Sequence, residues 1–187
     1  MSKSHPYVCP AVFSCSLDNF LRRLVHDPDK ILSPYIRKGM TVLDLGCGPG
    51  YFTGAIARLT GEEGKVIAAD LQEKMLEKMK SKITGTGLEK RIISHLCGRE
   101  SIGLQGKVDF ILTFWMIHEV PDQQRLFMEL KSLLNPGGKI LIVEPKIHVS
   151  RNAFKEMTAG LESAGLEVTD IPKVSLSRSI LVKLKEL

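Results

Sequence analysis

The residues with the clearest chemical potential sit in a glycine-rich turn and two acids. The run Asp44-Leu45-Gly46-Cys47-Gly48-Pro49-Gly50 closes a short β-type segment and leads directly into a helical pattern. Glycine lets backbone approach a ligand with no Cβ in the way, and a helix N-terminus offers free N–H groups. A tight turn with no ligand is the plainer reading, but three glycines in five residues exceed what a turn requires. Asp70 ends the next β-type segment, twenty residues after Gly50. A carboxylate there suits the two hydroxyls of a ribose. The turn departs from the GxGxxG nicotinamide fingerprint, because its third glycine comes one residue early and Pro49 intervenes. Asp44, within the loop's approach, repels a pyrophosphate and attracts a cationic amine. The ligand these residues imply has a ribose and a positively charged amino-acid end.

Such a site needs a scaffold, and the hydropathy pattern supplies one. From Met40 onward short β-rich runs alternate with amphipathic helical stretches. The strands are expected at Thr41 to Leu45, Lys65 to Asp70, Arg91 to Leu96, Val108 to Phe114, Lys139 to Val143, Leu166 to Thr169 and Ser179 to Leu184. Helical stripes fall on Tyr51 to Leu59, on Leu71 to Ile83, on the stretch opened by Pro121 that carries Leu126 to Leu134, and after Ser150. The turn Asn135-Pro136-Gly137-Gly138 is expected to separate that third helix from the next strand. Strands apolar on both faces and joined by helices imply an α/β fold with a doubly wound, mostly parallel sheet. Asp170 to Ser175 is too short for a helical crossover, so the last two strands should pair antiparallel. Residues 1–36 read as a helical arm or cap, with Phe13, Leu17, Phe20, Leu21 and Leu24 on one stripe and a short helix after Asp27-Pro28. Residues 37–187 form the main domain.

Composition excludes several classes. The chain has 187 residues, 43% hydrophobic and 25% charged, which suits one globular domain rather than disorder or a coiled coil. The apolar run Phe110 to Ile117 falls far short of the roughly 20 residues that span a bilayer, and the first ten residues lack a signal-peptide core. No membrane partner is expected. Cys9, Cys15, Cys47 and Cys97 match no paired CxxC zinc spacing, so no metal is assigned and reduced thiols in a cytoplasmic protein fit best. The net charge of +5 is spread along the chain without aromatic interleaving, so nucleic acid is not the expected partner.

The segment Val42 to Gly50 resembles the first motif of the class I S-adenosylmethionine-dependent methyltransferases. The resemblance extends over Lys38 to roughly Leu184. It includes Asp70, the run Asp109-Phe110-Ile111-Leu112 and the run Leu134 to Gly138. Met116-Ile117-His118-Glu119-Val120-Pro121-Asp122 is similar to the "LHHVPD" stretch of the small-molecule branch. The resemblance implies a Rossmann-like sheet of seven strands with the last antiparallel, and S-adenosylmethionine as cofactor. Gly46, Cys47 and Gly48 would line its methionine part, with Asp44 facing the ammonium. Asp70 would hold the ribose, with Leu71 beside the adenine. Thr113 and Phe114 would lie under the sulfonium, where an aromatic face attracts the cation. One departure is Cys97-Gly98-Arg99-Glu100, where the family often has Gly-Asp. Arg99 cannot accept the adenine amine, so Glu100 or backbone would replace that contact.

A donor already activated as a sulfonium needs a base only when the acceptor carries a proton that must leave. His118 is the candidate catalytic residue, and a turn histidine bonded to backbone is the alternative. Glu119 and Trp115 are other groups able to touch an acceptor, and Glu144-Pro145 flanks the same edge. Thr113-Phe114-Trp115-Met116 replaces the Asn/Asp-Pro-Pro-Tyr/Phe motif of nucleic-acid amine methyltransferases, and no Pro-Cys nucleophile is present there. With no large insertion, the cap must come from the arm or from a second subunit, which makes a homodimer one source. A small-molecule acceptor is favoured. An RNA or protein acceptor, and a non-catalytic S-adenosylmethionine-binding protein, remain as alternatives.

Overall fold

A computed structural model describes residues 25–186. The arm's stripe from Phe13 to Leu24, together with His5, Cys9 and Cys15, lies outside the described residues. Among those described, the order is α1 (Pro28–Leu32), β1 (Thr41–Leu45), α2 (Thr53–Thr60), β2 (Lys65–Asp70), α3 (Glu73–Ile83), β3 (Ile92–Leu96), β4 (Val108–Phe114), α4 (Gln123–Leu133), β5 (Leu134–Pro145), α5 (Arg151–Ser163), β6 (Leu166–Asp170) and β7 (Ser177–Leu184). Single 3₁₀ turns occupy Glu89–Arg91 and Ile117–Glu119. The seven strands form one sheet in the order β3-β2-β1-β4-β5-β7-β6. β1, β2, β3, β4 and β5 pair in parallel, whereas β7 runs antiparallel to both β5 and β6. This is the fold expected from the alternation of apolar runs, including the final hairpin.

Burial on both faces explains why the strands read as continuously apolar. On one face Leu32, Ile36, Phe52, Ile56, Leu76, Met79 and Ile83 from α1, α2, α3 and their flanks pack on Val42, Ala68, Phe110, Leu112 and Val143. On the other, Leu126, Phe127, Leu130, Met157 and Leu161 from α4 and α5 pack on Leu43, Leu45, Ile111, Ile140 and Ile142. The chain winds outward from β1 to β3, then returns to continue from β4. Strand order therefore reverses between β1 and β4, and a doubly wound sheet opens its ligand crevice at that point.

One expectation is corrected. Asn135 to Gly138 does not form a separate turn, and Leu134 is not helical. β5 begins at Leu134, which pairs with Val108, and the register then jumps to Phe110 opposite Lys139. The extra residues buckle out, with Gly137 at φ 78° and Asn135 Nδ2 donating to Asp109 Oδ1 at 2.7 Å. The helix after Pro121 also starts later than expected, at Gln123, because Asp122 caps it by accepting from Arg125 N at 2.9 Å. Among the described residues no helix is long and apolar enough to cross a membrane.

Candidate active site

Five strands, β1 to β5, deliver the singled-out residues to one sheet edge, at their carboxyl ends. β1 ends in the glycine loop, where Gly46 N and Cys47 N donate to Ala69 O of β2 at 2.8 and 3.0 Å. Gly46, Gly48 and Gly50 all have positive φ, which favours glycine. Their surroundings differ. A Cβ on Gly46 would lie 2.9 Å from Met116, and one on Gly50 would lie 2.6 Å from Met79 Cγ of α3. A Cβ on Gly48 would meet nothing within 4 Å among the described residues. The outer two glycines thus admit protein side chains, and the middle one leaves room that a ligand can use.

The two acids flank this loop. Asp44 is 3% exposed, and its Oδ2 accepts the Thr53 hydroxyl of α2 at 2.6 Å. Asp70 is 8% exposed and takes the N–H of Gly48 on Oδ2 at 2.9 Å and that of Gln72 on Oδ1 at 2.8 Å. Burial raises the Asp70 pKa above the usual carboxylate range, against the lowering effect of the N–H groups of Gln72, Gly48 and Leu71. Leu71 stands 40% exposed beside it. Burial, then the charges of Asp44 and Asp70, push the Cys47 thiol far up. Burial likewise takes Cys97 to about 12, so neither is a ready thiolate.

β3 leads into the segment that holds Gly98, Arg99 and Glu100. Cys97 N donates to Asp70 O at 2.9 Å, which ties the start of this segment to β2. A Cβ on Gly98 would lie 3.2 Å from Ser101 O. Glu100 turns toward Arg125 of α4, at 3.8 Å, and no hydrogen bond among the described residues joins it to the Asp70–Gly48 pair.

β4 contributes Thr113 and Phe114. Thr113 is fully buried, in register with Leu45 and Ile142, and its Oγ1 has no hydrogen-bond partner among the described residues. Phe114 lies on the opposite face, 4.4 Å from Phe52 between ring centroids. Trp115 adopts φ 60°, a left-handed conformation uncommon outside glycine. Its ring packs with Phe114 on the α2 side, so two consecutive aromatics share one face. Trp115 N donates to Val143 O at 2.7 Å and Nε1 to Ser177 Oγ at 3.0 Å. His26 packs edge-on against both rings.

The chain then turns toward α4, and His118 meets Glu144. His118 Nδ1 lies 2.5 Å from Glu144 Oε2, while Oε1 of the same carboxylate accepts Ile117 N at 2.9 Å. Glu144 is wholly buried, and the His118 side chain is 22% exposed. Burial is the largest influence on His118 and lowers its pKa. The hydrogen bond and charge of Glu144, with Glu119 adding to them, outweigh it, so the pKa is raised. His118 is therefore bonded to a carboxylate rather than to backbone. The sequence placed Glu144 only on the same edge. Its pairing depends on the β4–β5 register, although an acid directly after a buried apolar strand was the available signal. Thr53 and His26 carried no sequence signal, and Met116 was marked only as part of the run that ends in Asp122.

A cleft of about 410 Å³ opens at the opposite edge, between Arg37, Lys38, Asp109 and Gly137. Its carboxylate is committed, since Asp109 accepts Thr41 N and the Asn135 amide. The chemistry-bearing residues lie at the other edge. Among the described residues no group of three or more His, Cys, Asp or Glu is placed to hold a metal ion.

A family model described as a methyltransferase domain matches residues 36–175. A SAM-dependent methyltransferase from Aquifex aeolicus superposes with a TM-score of 0.84 at 27% identity, covering 94% of this chain and 98% of that one. An S-adenosylmethionine-dependent methyltransferase from Clostridium acetobutylicum, 15% identical, shares the fold with a TM-score of 0.71 over 94% of this chain and 98% of its own. A ubiquinone/menaquinone biosynthesis C-methyltransferase from Escherichia coli is 32% identical over 110 residues, 58% of this chain. The chain spans 44% of that relative's length.

Proposed function

The chain belongs to the methyltransferase-domain family, within the class I S-adenosylmethionine-dependent superfamily, and from that premise we propose that it transfers a methyl group from S-adenosylmethionine to a small-molecule acceptor. One observation carries the reading. Among the described residues nothing occupies the space where a Cβ of the middle glycine would stand, and its N–H is held by the acid that ends β2. A buried carboxylate on each side of that space fits a ligand with an ammonium at one end and ribose hydroxyls at the other.

The cofactor supplies an electrophilic methyl group on a sulfonium. Asp44 meets its ammonium, with Thr53 fixing the carboxylate from behind. The backbone of Gly46, Cys47 and Gly48 lies along the methionine part. Asp70 accepts the ribose hydroxyls, Leu71 covers one side of the adenine, and Gly98, Arg99 and Glu100 border its far edge. Phe114 gives an aromatic face to the sulfonium, with Thr113 beneath. His118 is the proton acceptor on the acceptor side. Leu32 and Ile36 pack into the core on one sheet face, so we assign cover over the cleft to the part of the arm that precedes them, with a homodimer as the other source.

A small acceptor is supported by the short connections between the described elements, which insert no separate substrate domain between them. The quinone-biosynthesis relative also takes its name from small-molecule chemistry. The proposal places the enzyme in the cytoplasm, where its thiols stay reduced. The test is a crystal soaked with S-adenosylhomocysteine. Density crossing Gly48 with the ribose at Asp70 supports the reading, and density elsewhere or none overturns it.

A further inference from the structure

Trp115 is the single tryptophan of the chain, and its φ of 60° is one that a bulky residue rarely takes. A glycine would adopt it without strain, yet the position carries the largest side chain. Its N–H donates to Val143 O at 2.7 Å, so the chain leaving β4 bends over β5, away from Asp44 and Asp70 on β1 and β2. The indole reaches further across the edge, and Nε1 donates to Ser177 Oγ, at the start of β7, at 3.0 Å.

A chain of hydrogen bonds continues behind the indole. The Ser177 hydroxyl, buried, passes its own hydrogen to Ser175 O at 3.1 Å. The same carbonyl takes His26 Nε2 at 2.7 Å, and since a carbonyl only accepts, that nitrogen carries the hydrogen. The Tyr51 hydroxyl donates in turn to His26 O at 2.8 Å. The His26 ring, also buried, meets Phe114 and Trp115 edge-on, with centroids 5.2 and 5.1 Å away. The indole N–H, the imidazole N–H and the two hydroxyls therefore all find partners inside this group. What Trp115 leaves partly exposed at the carboxyl edge is aromatic carbon. A polar molecule laid against that carbon loses its bonds to water and regains none, whereas an apolar one gains by burial.

We propose that Trp115 is a specificity-determining wall on the acceptor side, that Ser177 and His26 are its positioning residues, and that the acceptor lays an apolar body against the ring, whichever atom takes the methyl group. The inference rests on the methyl-transfer reading above and adds the character of the acceptor. The wall lies on the β5 and β7 side of β4, and the proposed cofactor seat lies on the β1 and β2 side. Changing the wall should therefore alter the choice of acceptor and leave the hold on the nucleoside intact.

With one tryptophan in the chain, its emission reads the wall alone. Ser177→Ala removes the bond to the indole, and His26→Phe keeps a ring while removing the bond to Ser175. Both are expected to move the emission to longer wavelength and to raise quenching by acrylamide, and Ser177→Thr, which keeps the hydroxyl, is expected to match the wild type. An unchanged spectrum in Ser177→Ala or in His26→Phe overturns the positioning role of that residue.

Labelled methyl transfer is then measured to three matched pairs that share a nucleophile and differ in body: hexanethiol and mercaptoethanol, benzylamine and ethanolamine, naphthol and hydroxypyridine. In each pair that reacts, kcat/KM is expected to favour the apolar member by roughly ten-fold or more, the scale of a small difference in a hydrophobic pocket. Trp115→Leu and Ser177→Ala are expected to lower that preference, and Ser177→Thr to restore it. No preference, preference for the polar member, or transfer to none of the six overturns the acceptor class. Calorimetry with S-adenosylhomocysteine separates the two levels. Affinity that falls in Trp115→Leu as far as transfer does overturns the place of the wall on the acceptor side. Wild-type binding without the preference overturns this inference alone, and wild-type protein that does not bind overturns the methyl-transfer reading.

Discussion

The carboxylate of Asp70 accepts the backbone N–H of Gly48 at 2.9 Å, so the acid that closes β2 holds the middle glycine of the loop that follows β1. The two halves of the proposed cofactor seat are thereby one hydrogen-bonded unit. At Gly48 a side chain would meet no described residue within 4 Å, so the proposed approach to the seat lies beside its anchoring acid.

Replacing Asp70 should therefore damage binding twice, through the ribose contact and through the loop. Asp70→Ala is expected to weaken S-adenosylhomocysteine by about 1–3 kcal/mol, the scale of lost charged hydrogen bonds. Titration calorimetry measures it, and unchanged affinity in folded protein would refute the ribose assignment. Burial raises the Asp70 pKa, so wild-type affinity should fall as pH drops through that raised value, at a higher pH than an ordinary carboxylate would give.

The glycines of the loop should separate by function. Gly50→Ala forces a Cβ to within 2.6 Å of Met79 Cγ and should lower stability by about 1–3 kcal/mol through overpacking. Gly48→Ala meets no neighbour among the described residues, and its left-handed backbone alone costs about 1–2 kcal/mol. Cofactor affinity should drop more in Gly48→Ala than in Gly50→Ala. Urea melts and calorimetry on both proteins decide, and equal effects on binding would refute the division.

Much of this arrangement could be read before any coordinates. Apolar runs such as Val108 to Phe114, alternating with helical stripes, required a covered parallel sheet, and the short link after Asp170 required a closing hairpin. Asp44 and Asp70 were legible because strand ends fix where a side chain can go. The Asn135 to Gly138 segment misled because turn residues were read locally, whereas Leu134 was already claimed by its partner Val108. The roles of Gly46 and Gly50 were hidden for a similar reason. Their missing side chains accommodate Met116 and Met79, which lie far along the chain. Glu144 pairs with a residue 26 positions away through a register that composition does not reveal.

Thr53 supplies a prediction about the buried acid of β1. Its hydroxyl donates to Asp44 Oδ2 at 2.6 Å, and both residues are buried. Thr53→Val keeps the shape and removes the donor, so stability should fall by about 1–3 kcal/mol, whereas Thr53→Ser should retain most of it. Denaturant midpoints measure the difference, and equal midpoints for the valine and serine variants would contradict the account.

His118 has a pKa raised in the folded state, and the linkage sign follows. Its contribution to stability should be fully present below the unfolded value of about 6.5 and be lost as pH rises through the higher folded value. The stability difference between wild type and His118→Gln should therefore shrink from acidic to alkaline buffer. Urea melts at two pH values on either side of that window test this, and a difference that grows with pH would contradict it.

The central claim is that the carboxyl edge of β1 and β2 seats a sulfonium nucleoside between two acids. Titration of the wild-type chain with S-adenosylhomocysteine in a calorimeter tests it most directly. One nucleoside per chain, with binding weakened in both Asp44→Ala and Asp70→Ala, is the predicted result. No binding by folded wild-type protein, or full-strength binding in both variants, would contradict it.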